Sequence, residues 1–122
     1  MPRGSELYLN DIHVAVQTIE RFTSGLDESA FTTDEIRLHG TLYNLIVIGE
    51  AVKNLPDEVQ AKVPAVPWRD IQRFRDKLVH HYFSIKPSVV WQVIQEDLPV
   101  LKTAIEQLLQ EIKDNDDGQV ES

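Results

Sequence analysis

The sequence predicts an all-α fold: one antiparallel, up-down bundle of four long helices with a short connecting helix. Three observations lead there. Apolar residues recur at spacings of three and four along four separate segments, the period of an amphipathic helix. No stretch alternates at period two for long enough to make a strand. At 122 residues the chain fits one compact domain and is too short for two.

The first helix runs from Glu6 to about Phe22, with Leu9, Ile12, Val16, Ile19 and Phe22 on one face, and Gly25 ends it. Thr32 and Glu35 form a capping box for the second, which continues to about Asn54. Its stripe is Leu38, Leu42, Leu45, Gly49 and Val52. Gly40 and Gly49 each weaken a helix interior by about 1 kcal/mol relative to alanine, so both point to close helix approach. Pro56 stops this helix, and the stretch to Pro67 reads as a short connecting helix and loop. The third long helix starts near Pro67, a residue suited to a first turn, and runs to about Phe83. After a break at Ser84 to Pro87, the last helix carries a seam of Val90, Ile94, Leu98, Leu101, Ile105, Leu108 and Ile112. Pro99 within it is expected to bend the axis, since proline removes one backbone bond. Residues 1–113 thus form the bundle, and 114–122 an acidic tail expected to be disordered.

Composition narrows the function classes. No apolar run approaches the roughly 20 residues of a membrane span, and the first residues lack a signal-peptide core. Cysteine is absent, which excludes disulfides and thiolate metal sites and permits a reducing compartment. The expected location is the cytoplasm, with no membrane partner. A net charge of -8 argues at first against nucleic acid, because phosphate binding needs a positive surface. Charge is unevenly placed, however. From Pro67 to Lys86, Arg69, Arg73, Arg75, Lys77 and Lys86 stand against Asp70 and Asp76, a local +3 that leaves -11 for the rest. Such an island can hold a phosphate.

That window is also unusual in its pattern. On a helical wheel, Trp68, Ile71, Phe74, Leu78 and Tyr82 share one apolar arc, and Arg75 falls inside it. The opposite arc holds Arg69, Arg73, Asp76, Lys77 and His80. Asp76 and His80 are four apart, so the carboxylate is placed to orient the imidazole and raise its basicity. A structural reading accounts for the same residues: Arg75 paired with a carboxylate from another helix, Glu50 being the candidate, with His80 and His81 as surface histidines and Tyr82 as a core aromatic. His13 and His39 stand isolated in the sequence and read as structural or exposed.

The run Arg75-Asp76-Lys77-Leu78-Val79-His80-His81-Tyr82 resembles the Arg-x4-His-x-Tyr signature of the HepT-like toxins in the HEPN ribonuclease superfamily, including the polar residue after the arginine. Ile48-Gly49-Glu50-Ala51 is similar to that family's second-helix pattern. Trp68, Ile71, Phe83, Val90-Trp91 and Leu98-Pro99 extend the likeness over roughly Leu7 to Ile112. Lys86 departs from it, where an aspartate would cap the last helix better.

The resemblance implies a metal-independent endoribonuclease working as a homodimer, with no cofactor, and the sequence offers no convincing metal-ligand cluster. Arg75 and His80 are then the catalytic pair, Asp76 supports them, and Arg69, Arg73, Lys77 and His81 are candidates for tracking RNA. It also implies that Tyr82 receives AMP from ATP, transferred by a partner antitoxin of the minimal nucleotidyltransferase type. Arg75 and Tyr82, seven apart on one helix, would share a face, which would let an adenylate pair with the arginine. Arg75 and His80, five apart, lie about 140° around the helix from one another. A site using both therefore calls for a cleft or a second copy. The competing reading is a non-catalytic helical subunit of a two-part nucleotidyltransferase, binding nucleotide or substrate through the same basic residues.

Overall fold

The protein is described from a computed structural model, with backbone for residues 3–121 and side chains for residues 4–116. Its elements in order are α1 (Arg3–Thr23), α2 (Glu28–Thr32), α3 (Glu35–Lys53), α4 (Asp57–Gln60), α5 (Trp68–His80), a 3-10 turn at Tyr82–Ser84, α6 (Pro87–Glu96) and α7 (Leu98–Glu121). Among the described residues every regular element is helical. None of these helices is long and apolar enough to cross a membrane.

The apolar stripes form one core. Leu9, Ile12, Val16 and Ile19 of α1 are fully buried, as are Ile48 and Val52 of α3, Leu78 of α5, Val90 of α6, and Ile105 and Leu108 of α7. Burying each such side chain is worth about 1.5–3 kcal/mol. α3 packs on both α1 and α5, and α1 also packs on α7. Gly25, at φ 76, adopts the left-handed geometry that ends α1, as its position in the sequence implied. Trp68 anchors the start of α5 by donating its indole N–H to the carbonyls of Gln60 at 3.0 Å and Val63 at 3.2 Å.

Four details differ from the sequence reading. Thr32 does not open the second long helix. It ends the short helix α2, which Asp27 caps, while Asp34 caps α3 by accepting from the Arg37 N–H at 3.0 Å. Asp34 outcompetes the Thr32 box at α3 because a carboxylate accepts more strongly at a helix N-terminus. α5 stops at His80 instead of reaching Phe83, since His81 turns out of helical geometry at φ -136, ψ 38. The last helix is divided into α6 and α7, with Asp97 between them. Pro99 therefore lies in the first turn of a new helix, where its missing N–H costs nothing, and does not bend a continuous one. Finally, α7 passes residue 114 and continues to Glu121, and Gln110 Nε2 donates to Asp114 Oδ1 at 2.9 Å within it. The rest of the acidic segment, from residue 117, has side chains outside the described residues.

Candidate active site

The site is built where α5 crosses α3. Gly49 of α3 is buried, and a methyl group there would overlap Cβ and Cγ of Arg75. The missing side chain lets the two helices approach closely and lays the arginine stem across the glycine. Arg75 is consequently 19% exposed although it carries a full charge. Its guanidinium is met by two carboxylates: Nη2 pairs with Glu50 Oε1, and Nη1 donates to Asp76 Oδ1 at 2.9 Å. Nε is buried and has no hydrogen-bond partner among the described residues. The pairing with Glu50 is the one that the structural reading of the sequence anticipated. Both carboxylates retain solvent contact, Glu50 at 44% and Asp76 at 64%, so each salt bridge is worth only about 0–1 kcal/mol. An incoming phosphate, itself a bidentate acceptor, can therefore replace them at small cost.

His80, the last residue of α5, is exposed, and its ring makes no hydrogen bond among the described residues. Asp76 does not orient it, contrary to expectation. The carboxylate turns to the adjacent guanidinium, a permanently charged donor, in preference to an imidazole one turn away. Arg69, Arg73 and Lys77 are exposed on the same side of α5 as His80 and form a basic ridge, with Arg73 loosely paired to Asp70 at 3.8 Å. His81 is exposed at the helix end, where its backbone N–H donates to the Lys77 carbonyl at 2.8 Å.

Tyr82 follows the turn out of α5, so the expectation that it shares a helical face with Arg75 fails at His81. Its ring instead lies on His39 of α3, with centroids 5.6 Å apart and planes 15° from parallel. The Tyr82 hydroxyl is 2.8 Å from His39 Nδ1, and the Phe83 ring meets Tyr82 edge-on at 5.3 Å. Burial raises the Tyr82 pKa above the ordinary value of 10.0. His39 was missed in the sequence because 43 residues separate it from Tyr82, and only the fold brings the two rings together. Ile36 and Tyr43, about one turn either side of His39 on α3, and Val79 and Phe83, close to Tyr82 in sequence, are all exposed, Phe83 by 95%. Among the described residues no group of three or more His, Asp or Glu stands together as a metal site.

These features, an arginine set in a glycine-shaped crossing five residues before an exposed histidine, coincide with a family-level match. Residues 12–108 match the model of the HepT-like ribonucleases. The chain belongs to that family. A relative from Thermococcus cleftensis, named "Probable ribonuclease HepT", is 39% identical over 108 residues, spanning 88% of this chain and 98% of that one. A protein of Methanocaldococcus jannaschii provisionally named an RNase is 35% identical, covering 93% of both chains. Another, from Caldanaerobacter subterraneus subsp. tengcongensis and also provisionally named an RNase, is 34% identical over 87% of this chain and 95% of its own. No solved structure matches the chain. Membership agrees with the all-helical fold.

Proposed function

We propose that this HepT-like protein is the toxin of a toxin–antitoxin pair, a homodimeric endoribonuclease that a nucleotidyltransferase antitoxin silences by transferring AMP to Tyr82. The observation that carries the reading is the Arg75 environment: a guanidinium pre-positioned by Gly49, held by two replaceable carboxylates, and followed by an exposed imidazole on a basic ridge.

The chemistry follows from those groups. RNA lies along Arg69, Arg73 and Lys77, and its scissile phosphate displaces Asp76 and Glu50 from Arg75. The ribose 2′-oxygen attacks phosphorus, forming the 2′-O–P bond as the P–O bond to the 5′-oxygen breaks. His80 accepts the 2′ proton while water protonates the departing 5′-oxygen or, as imidazolium, protonates that oxygen while water takes the 2′ proton. Arg75 neutralises charge growing on the non-bridging oxygens. The products are a 2′,3′-cyclic phosphate and a free 5′-hydroxyl. These two residues supply the proton transfer and the charge, so chelators are expected to leave the rate unchanged.

Arg75 and His80 diverge around α5, which favours a site completed by a second copy, with Arg75 from one chain and His80 from the other. The exposed Ile36, Tyr43, Val79 and Phe83 supply an apolar surface suited to that contact. An adenylate on Tyr82, two residues from His80, would set phosphate and bulk against incoming RNA. Expression of the chain alone in bacteria tests this reading. Growth arrest with RNA breakdown, lost in both Arg75→Ala and His80→Ala, supports it. Normal growth and intact RNA with Tyr82 unmodified would favour the nucleotide-binding subunit instead.

A further inference from the structure

Tyrosine is a poor nucleophile at neutral pH, because a phenol with the ordinary pKa of about 10 is ionised in only about one molecule in a thousand. Burial of Tyr82 works further against the phenolate. An acceptor of phosphoryl chemistry at this position needs a base beside it, and the structure supplies one that no sequence motif indicated. His39 Nδ1 is 2.8 Å from the Tyr82 hydroxyl. The two rings stack 15° from parallel, and Phe83 meets Tyr82 edge-on. We propose that His39 is the proton acceptor that turns the Tyr82 hydroxyl into a nucleophile for nucleotide transfer.

This inference rests on the reading that Tyr82 receives AMP. In the step, Tyr82 Oη attacks the α-phosphorus of ATP, and the Oη–P bond forms. The bond from that phosphorus to the oxygen bridging toward the β-phosphate breaks, and pyrophosphate leaves with the bonding electrons. The phenolic proton passes to His39 Nδ1, which requires the neutral imidazole to carry its hydrogen on Nε2. The resulting imidazolium releases the proton to water. His39 is itself exposed, so that exchange is unobstructed.

The test follows AMP incorporation by intact mass in the full-length protein with ATP and the nucleotidyltransferase partner, with melting curves confirming that each variant folds. Tyr82→Phe should take no AMP. His39→Ala should lower kcat for transfer by about 100-fold with KM for ATP unchanged, the scale of a general base, and free imidazole should restore part of the rate. His39→Asn keeps an acceptor near the Nδ1 position but cannot carry the proton onward, so it should remain slow. Wild-type rates in His39→Ala would overturn the assignment and place the base on the partner enzyme. Full recovery in His39→Asn would reduce His39 to holding the hydroxyl in place. A wild-type protein that takes no AMP, or a Tyr82→Phe variant that takes as much, would overturn the modification reading and this inference with it.

Discussion

Arg75 and His80, five residues apart on α5, face different surroundings: the guanidinium is held against α3 by Glu50, and the imidazole stands exposed at the helix end. If the working site joins Arg75 of one copy to His80 of another, two inactive variants should complement. Mixing Arg75→Ala with His80→Ala under conditions that exchange subunits should return about a quarter of wild-type cleavage, since half the dimers are mixed and each has one complete site. Each variant alone should stay inactive. A mixture as inactive as its components would mean that one chain supplies both groups.

Gly49 fixes the crossing that positions the arginine. Gly49→Ala forces a methyl into Arg75 Cβ and Cγ and should destabilise by about 1–3 kcal/mol through overpacking. At roughly 4 °C per kcal/mol for a domain of this size, the melting temperature should fall several degrees, and cleavage should fall with it. Gly4→Ala is the control, because nothing lies within 4 Å of a Cβ built there. It should leave the melting temperature nearly unchanged.

Much of this was legible in the sequence, and the misses have two causes. Helical spacing located the core stripes and the two close-approach glycines, and the rule that a buried charge needs a partner made Glu50 a candidate for Arg75. What failed depended on competition between local donors and acceptors. Asp34 displaced Thr32 as a cap, Asp76 chose Arg75 over His80, and His81 broke a helix that the wheel carried through to Tyr82. The His39–Tyr82 contact has no local signal at all, since it exists only once α3 and α5 pack together.

If the chain works as the proposed homodimer, the exposed apolar residues near Tyr82 are its candidate contact. Phe83→Glu removes the most exposed aromatic side chain there and adds charge. Its loss should cost the monomeric fold little, while sedimentation should show the dimer giving way to monomer and cleavage should drop with it. A Phe83→Glu protein that remains dimeric would place the contact elsewhere.

Asp97, between α6 and α7, has its pKa raised first by burial, then by Glu96 and Asp70. The folded state keeps this carboxyl protonated to higher pH than the unfolded chain does. Its contribution to stability is therefore full below the unfolded pKa and lost as pH rises through the folded one. Asp97→Asn should raise the melting temperature at pH 7 and change it little near pH 3. Equal effects at both values would show that charge is not the cause.

Whether Arg75 and His80 cleave RNA is decided on purified protein with Tyr82 shown unmodified by intact mass. Labelled RNA incubated with the wild-type chain in the presence of EDTA should yield 2′,3′-cyclic phosphate ends. Arg75→Ala and His80→Ala, each still folded, should be slower by about 100-fold or more. Cleavage undiminished in both variants, or RNA left intact by the unmodified wild-type protein, would contradict the account.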